Sequence, residues 1–205
     1  MPAPLPLQPG KYYHVYNRGN NRENIFVAER NYPYFLKLYA KYVEPVAETY
    51  AYCLLRNHFH FLLRIREEEA LAPLQPLARN RGGQSGDPSQ HFSNLFNAYT
   101  RAFNAEYQRT GALFQRPFGR IEVTTDAYFL QLIAYIHQNP QKHRFVADFR
   151  DWPYSSYHAH LSDKPTRLKR DEVLVWFNGA EGFTRLHKQI IKPEHIEALA
   201  PEDFD

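Results

Sequence analysis

The chain has 205 residues, 43% of them hydrophobic and 23% charged, and a formal net charge of +3. This composition predicts one folded domain of ordinary size with a small extension and excludes a wholly disordered chain. No stretch approaches the 18 apolar residues of a membrane-spanning helix, and the first ten residues do not resemble a secretory signal. The single cysteine, Cys53, excludes an intrachain disulfide and a zinc finger. We therefore expect a cytoplasmic protein with no membrane partner.

The chain is rich in aromatic residues, and its basic residues are unevenly distributed. Phe, Tyr and Trp make up 16% of the sequence. Residues 91–170 carry 11 Lys and Arg against 6 Asp and Glu, whereas the rest of the chain is slightly acidic. Aromatic faces suit nucleic-acid bases, and positive charge suits phosphates. Both features also occur in proteins that bind no nucleic acid, so composition leaves the question open.

The first third of the chain predicts a β-α-β-β unit. Alternating residues over 11–19 end in a Gly-Asn-Asn turn, as in a strand. Residues 31–44 carry apolar side chains at helical spacing. Residues 50–55 and 58–65 predict two further strands joined by a tight connection. This order predicts an α+β fold with a ferredoxin-like antiparallel sheet and helices on one face.

The rest of the chain predicts mainly helices. Residues 67–90 mix charge with Pro, Gly and Ser, which predicts a mobile surface loop. Asp126 is a candidate helix cap, and Asn139-Pro140 is expected to end that helix. The predicted elements are a helix over 91–108, a strand over 118–123, a helix over 126–138, a short helix within 152–161 and weak helical patterns at 171–177 and 183–191. We expect residues 1–161 to form the main domain and 162–205 a helical extension that is not an independent domain.

Two histidines stand two residues apart, in the sequence His58-Phe59-His60. In a strand, side chains two residues apart point to the same face. Two imidazoles on one strand face can bind a divalent metal ion. The chain contains ten histidines, so this spacing can also arise by chance. The spacing alone leaves both interpretations open.

The helix predicted over 126–138 carries a polar stripe opposite its apolar arc. Tyr135 lies opposite the centre of that arc, and Asn139 lies about 40° from Tyr135 if the helix extends by one residue. A tyrosine beside a metal is a candidate nucleophile, although its pKa near 10 requires a metal or a base to activate the reaction. An exposed surface tyrosine is the alternative. His137 turns about 160° away from Tyr135, onto the apolar side, which predicts a structural role.

Several motifs follow one another in a recognisable order: YHVYNRGNNRENIF, CLLRNHFHFLL, GALFQRPF, and YIHQNP followed by WPYSSYHAHL. In this order and spacing they resemble the REP-associated tyrosine transposases, relatives of the single-tyrosine HUH transposases of bacterial insertion sequences. The resemblance covers roughly residues 11–161. HFH followed by YxxxNP about 75 residues later is more specific than HFH alone. The resemblance implies a ferredoxin-like, RRM-related fold of the HUH endonuclease type.

The resemblance also implies a mechanism and a set of site residues. His58 and His60 match the HUH pair, Tyr135 matches the nucleophile, and Asn139 matches the polar residue that completes the metal site. The implied reaction is DNA transposition by metal-assisted tyrosine attack on single-stranded, hairpin-flanked DNA. Mg²⁺ or Mn²⁺ is the implied cofactor, and a 5′-phosphotyrosine and a 3′-hydroxyl are the products of cleavage. Other tyrosines, ranked behind Tyr135, are Tyr99, Tyr107 and Tyr128.

Basic residues near the motifs are candidate phosphate contacts. They are Arg18, Arg22, Arg116, Arg120, Lys142 and Arg144. Each is equally compatible with a solvated surface charge. Relatives act as homodimers or as monomers, and we expect either state here. The expected location is the bacterial cytoplasm, at the nucleoid when the protein is bound to DNA.

Two other classes of function remain open. A non-catalytic nucleic-acid-binding module would account for the predicted sheet and the aromatic residues, but not for the combination of HFH with Tyr135 and Asn139. A metal-dependent phosphodiesterase that uses water would need the histidines but not Tyr135. Metal titration distinguishes the first class from a transposase, and trapping of a covalent DNA adduct distinguishes the second.

Overall fold

The computed structural model describes residues 4–72 and 87–189. Its centre is a four-stranded antiparallel sheet with the strand order β2-β3-β1-β4. The strands are β1 (Tyr12–Arg18), β2 (Ala47–Leu54), β3 (His58–Ile65) and β4 (Gly119–Glu122). This is the strand order of a ferredoxin-like sheet, and the predicted α+β fold class is confirmed.

Seven α-helices occur in the described residues. They are α1 (Asn31–Tyr42), α2 (Glu68–Leu71), α3 (Pro88–Glu106), α4 (Asp126–Lys142), α5 (Tyr157–His160), α6 (Arg170–Trp176) and α7 (Gly179–His187). None of these helices is long and apolar enough to cross a membrane. The two ends of the loop predicted over 67–90 are helical, in α2 and at the start of α3. Its residues 73–86, like residues 190–205 of the predicted extension, lie outside the described part of the chain.

Helices cover both faces of the sheet, whereas the sequence predicted helices on one face. Phe59 of β3 contacts α1 through Phe35, at 5.3 Å between ring centroids, and Phe61 stacks on Tyr39 at 4.4 Å. On the opposite face, the ring of His60 lies 6.1 Å from the ring of Tyr135 in α4. Nearly every residue of β3 is buried. A strand that is buried on both sides needs a covering layer on each side, and α4 supplies the second layer.

Helix α4 starts and ends differently from the prediction. Its N-cap is Thr125, whose hydroxyl accepts the backbone N–H of Tyr128 at 3.2 Å. The helix does not stop before Pro140 but continues to Lys142. Proline removes one backbone donor, and the helix tolerates this in its last turn, where the N–H of His143 still bonds to the carbonyl of Asn139 at 2.9 Å.

Helix α7 is attached to α4 through buried histidines. His187 Nδ1 donates to the carbonyl of Phe183 at 2.8 Å, and its Nε2 lies 2.8 Å from His137 Nδ1. His187 Nε2 is therefore the acceptor, and His137 in turn accepts from the hydroxyl of Ser156 at 2.7 Å through Nε2. Burial lowers the pKa of both imidazoles, that of His187 to about 4. The predicted structural role of His137 is confirmed.

Candidate active site between β3 and α4

His58 and His60 project from β3 towards α4, as the alternation of the strand predicts. Both side chains are buried. Their ring centroids lie 5.2 Å apart, and the ring planes are nearly perpendicular, at 87°. The two imidazoles are therefore close enough to act on one ligand.

Hydrogen bonds orient both rings through the same nitrogen. His58 Nδ1 donates to Asn57 Oδ1 at 2.7 Å, and His60 Nδ1 lies 2.9 Å from Nε2 of His14. A histidine that binds a metal usually donates its other ring N–H to such a partner. In both rings the oriented nitrogen is Nδ1, so a metal ion would be bound through Nε2. Burial, followed by the nearby charges of His14 and His143, lowers the pKa of His60 well below its usual value, so the ring is neutral, as a ligand must be.

A stripe of α4 and its C-cap lies over the two histidines. Tyr135 is beside His60, and His143 contacts His58, with 4.8 Å between ring centroids. Asn139 lies four residues from both Tyr135 and His143, so it belongs to the same stripe of α4 as these two residues. Its Nδ2 donates to the carbonyl of Tyr135 at 3.2 Å, which fixes the amide. Its Oδ1 is buried and has no hydrogen-bond donor among the described residues.

The side chains present fit a divalent cation. A buried carbonyl oxygen without a donor is unfavourable, and a cation would satisfy Asn139 Oδ1. Two imidazole nitrogens and one amide oxygen form a donor set that Mg²⁺ or Mn²⁺ can accept if water or phosphate oxygens complete the coordination. Within residues 4–72 and 87–189, no three His, Cys, Asp or Glu side chains form a metal site.

Tyr135 is buried, with 3% of its surface exposed, so it is not the exposed surface tyrosine of the alternative interpretation. Lys142 Nζ donates to its hydroxyl at 3.3 Å and lies 4.7 Å from its ring centroid. The ammonium group of Lys142 is therefore in direct contact with the phenol oxygen. Tyr135 also lines a groove of about 520 Å³, which α4 and α7 border together with Arg150. Tyr135 therefore has a cation beside its hydroxyl and borders a groove that can admit a substrate.

The other candidate tyrosines lie in different surroundings. Tyr99 donates to the carbonyl of Ile25 at 2.6 Å, and Tyr107 donates to Asn31 Oδ1 at 3.0 Å. Both belong to the α3 side of the sheet. Tyr128 is on α4, seven residues before Tyr135, and burial raises the pKa of its hydroxyl. Of the four tyrosines, Tyr135 is the one whose ring lies beside His60.

The structure separates the predicted DNA contacts into two groups. Arg18 ends β1 opposite His58, and Lys142 contacts Tyr135. Arg144 follows directly after His143 and is exposed, and Arg22 is exposed in the 3₁₀ turn Asn20–Arg22 after β1. The other two, Arg116 and Arg120, lie beside α3 and thus on the opposite side of the sheet from Tyr135.

Sequence reasoning missed two residues of the site, His14 and His143. His14 is on β1, and the sequence does not reveal the register that brings it to His60. His143 continues the stripe of Tyr135 and Asn139 by four residues. That signal was readable, but the expectation that Pro140 ends the helix concealed it.

Comparison with known proteins supports this description. No protein-family model matches the chain. A Haemophilus influenzae protein named "Putative REP-associated tyrosine transposase" is 30% identical over 116 residues, which are 56% of this chain. The match spans 61% of that relative's length. A solved structure of a REP-associated tyrosine transposase bound to a REP hairpin aligns with a TM-score of 0.58 and 18% identity, over 80% of this chain and 88% of that one.

These two comparisons confirm the resemblance to REP-associated tyrosine transposases. The alignment with the solved structure shows that the chain shares their fold.

Proposed function

We propose that this protein is a metal-dependent tyrosine transposase that cuts and rejoins single-stranded DNA through a phosphotyrosine intermediate. The observation that carries the proposal is the position of Tyr135. Its ring lies 6.1 Å from His60, and Asn139 lies one helical turn further along α4, between Tyr135 and the His143 that contacts His58. The name of the Haemophilus influenzae relative supports the same activity.

In the proposed reaction Tyr135 is the nucleophile. Its hydroxyl loses its proton to water, helped by the ammonium group of Lys142 at 3.3 Å. The tyrosine oxygen then bonds to phosphorus while the bond from phosphorus to the 3′ oxygen breaks. The departing oxygen takes a proton from water and becomes a free 3′-hydroxyl. The phosphotyrosine keeps the phosphodiester bond energy, so the step can be reversed without ATP.

The histidines and Asn139 would hold Mg²⁺ or Mn²⁺, which would polarise the scissile phosphate and offset its developing charge. Asn57 and His14 hold His58 and His60 in the orientation that this requires. Because these partners are set before the substrate arrives, little reorganisation is needed during the reaction.

The proposed substrate is single-stranded DNA that carries a hairpin. The related solved structure contains a REP hairpin, which supports this choice. Arg18, Lys142 and Arg144 are the proposed phosphate contacts near Tyr135, and Arg22 extends this set along the chain. We place the reaction in the bacterial cytoplasm, at the nucleoid, with the protein acting as a monomer or a homodimer.

The test uses end-labelled hairpin DNA from the flanks of the gene, incubated with Mg²⁺ or Mn²⁺ and analysed on a denaturing gel. We expect wild-type protein to form a slowly migrating, protease-sensitive adduct that depends on metal. Tyr135→Phe should bind the same DNA and form no adduct, because it lacks the attacking oxygen. Tyr128→Phe is the matched control, since it removes another hydroxyl from α4 and should leave the adduct intact.

The two remaining alternatives predict different gels. Cleavage without an adduct, unchanged in Tyr135→Phe, would identify a hydrolase that uses water. Tight DNA binding with neither cleavage nor adduct would identify a binding module. An adduct that persists in Tyr135→Phe would move the nucleophile to another residue.

A further inference from the structure

A second polar groove, of about 230 Å³, lies beside α3 and residues 112–120. We call it the α3 groove. Four polar side chains of α3 line one wall at helical spacing. They are Ser89, Ser93, Asn97 and Thr100. Arg116 and Arg120 lie on the other wall.

Arg120 is only partly exposed and forms no ion pair with an acidic residue in the described part of the chain. Its Nη1 donates to Ser89 Oγ at 2.7 Å, and its guanidinium group lies 3.7 Å from the ring centroid of Phe118. Its Nε is buried and has no acceptor in the described part of the chain. Burial lowers the pKa of Arg120, but a guanidinium group stays protonated in proteins. The α3 groove therefore contains a charge that is only partly solvated and not neutralised.

The groups around the α3 groove leave room for an anion. The carboxylate of Asp87 raises the pKa of Arg120 against the effect of burial, and its Oδ1 accepts the backbone N–H of Ser89 at 2.8 Å. Arg116 donates to Asn97 Oδ1 at 3.0 Å, so the amide N–H groups of Asn97 remain as donors. Within the described residues, neither arginine forms an ion pair with Asp or Glu. Burying a charge without a counter-charge is unfavourable, and a bound anion would relieve it.

We propose that the α3 groove binds a phosphate group of the DNA backbone. The proposal rests on the proposed function, because it assigns a second contact on the same substrate. Guanidinium groups match phosphate oxygens geometrically and donate two hydrogen bonds at once. Asn97, beside Arg116, adds a neutral donor. A site of this kind positions DNA and reads no base sequence.

The α3 groove and Tyr135 open on opposite faces of the sheet. In the register of β4, Arg120 pairs with Val15, whereas its neighbour Gly119 pairs with Tyr16. Adjacent residues of a strand point to opposite faces. DNA that occupies both places must pass around an edge or an end of the sheet. The phosphate in the α3 groove is therefore different from the one that Tyr135 attacks, and its loss should weaken binding without slowing the chemical step.

The experiment measures fluorescence anisotropy of a labelled stem-loop DNA without metal, in the Tyr135→Phe background. Arg116→Ala removes an exposed side chain, so folding is preserved. We expect it to weaken binding about tenfold and to lower the slope of log affinity against log salt by about one. Arg120→Lys keeps the charge but loses the planar donors, so it should weaken binding about threefold without changing the slope.

Arg167→Ala is the matched control, because it removes one positive charge from an exposed arginine beside Glu44, away from the α3 groove. A purely net-charge effect would weaken binding equally in Arg116→Ala and Arg167→Ala and would overturn the proposal. Thermal unfolding verifies that each variant is folded. Adduct formation by variants with Tyr135 intact, at saturating DNA and with metal, should match wild type.

Two further results distinguish a free phosphate ion from a DNA phosphate, and the groove proposal from the proposed reaction. Titration calorimetry with inorganic phosphate tests the free anion. Phosphate binding that Arg116→Ala abolishes, with unchanged DNA affinity, would assign the groove to a free anion and overturn the DNA contact. If wild type forms no adduct but Arg116→Ala still weakens DNA binding, the proposed reaction fails and the groove proposal stands.

Discussion

Two buried histidine pairs in this protein have nearly the same geometry and different surroundings. His14 and His60 are 2.9 Å apart between ring nitrogens and 5.1 Å between ring centroids, at 24°. His137 and His187 are 2.8 Å and 5.0 Å apart, at 26°. The second pair belongs to a chain of hydrogen bonds in which every ring nitrogen has a partner. At one end His137 accepts from the hydroxyl of Ser156, and at the other His187 donates to the carbonyl of Phe183. The first lies beside Tyr135, and in that region Asn139 Oδ1 has no hydrogen-bond donor among the described residues. Pair geometry alone therefore does not distinguish a structural site from a reactive one.

The largest expected effect is that of replacing His60, in the histidine pair beside Tyr135. His60→Ala should slow adduct formation about 100-fold or more, because it removes a metal ligand of the proposed site. It should leave hairpin binding largely unchanged. Single-turnover gels with wild type and His60→Ala measure the rate. Rates within tenfold of each other would remove His60 from the reaction.

The second prediction concerns the structural pair and pH. The pKa of His187 is lowered by burial to about 4, whereas in the unfolded chain it is near 6.5. The unfolded state therefore binds more protons between these values, and the free energy of unfolding should fall as pH falls from about 6.5 to about 4. The contribution of His187 is about 3 kcal/mol over that window. Urea unfolding between pH 4 and pH 7.5 measures it.

The variant His187→Phe should reduce this pH dependence. It should also lower the free energy of unfolding at pH 7 by about 2 kcal/mol, because it leaves the Nδ1–H of His137 without its acceptor. His158→Phe, at an exposed histidine, serves as the control. If the free energy of unfolding depends on pH in His187→Phe as it does in wild type, the assignment of this dependence to His187 is wrong.

The smallest expected effect is that of replacing His14 on the affinity for Mn²⁺. His14→Phe should weaken Mn²⁺ binding about tenfold, because His60 loses the partner that orients it. His14→Gln keeps a side-chain acceptor and should recover part of the affinity. Titration calorimetry of Mn²⁺ without DNA makes the readout independent of catalysis. Equal affinities in wild type and both variants would show that His14 has no positioning role.

Much of the sheet could be predicted because its patterns are local. The prediction for β3 matches the observed strand His58–Ile65, because alternation and the flanking turn define both ends. The pairing of His58 and His60 on one face follows from the same alternation. The helical stripe also placed Tyr135 and Asn139 together, although Pro140 was wrongly expected to end the helix there. Proline in a last turn removes only one hydrogen bond, and the local sequence does not show whether packing compensates for it.

The sequence by itself determined the strand pattern, the shared face of the two histidines and the one-turn spacing of Tyr135 and Asn139. These follow from the period of a strand and of a helix, which act within a few residues. Only the tertiary structure decided that α4 packs on the histidine face, that His14 orients His60, and that Lys142 reaches Tyr135. Those contacts depend on strand register and on which apolar faces bury one another, and both are settled by packing between distant parts of the chain.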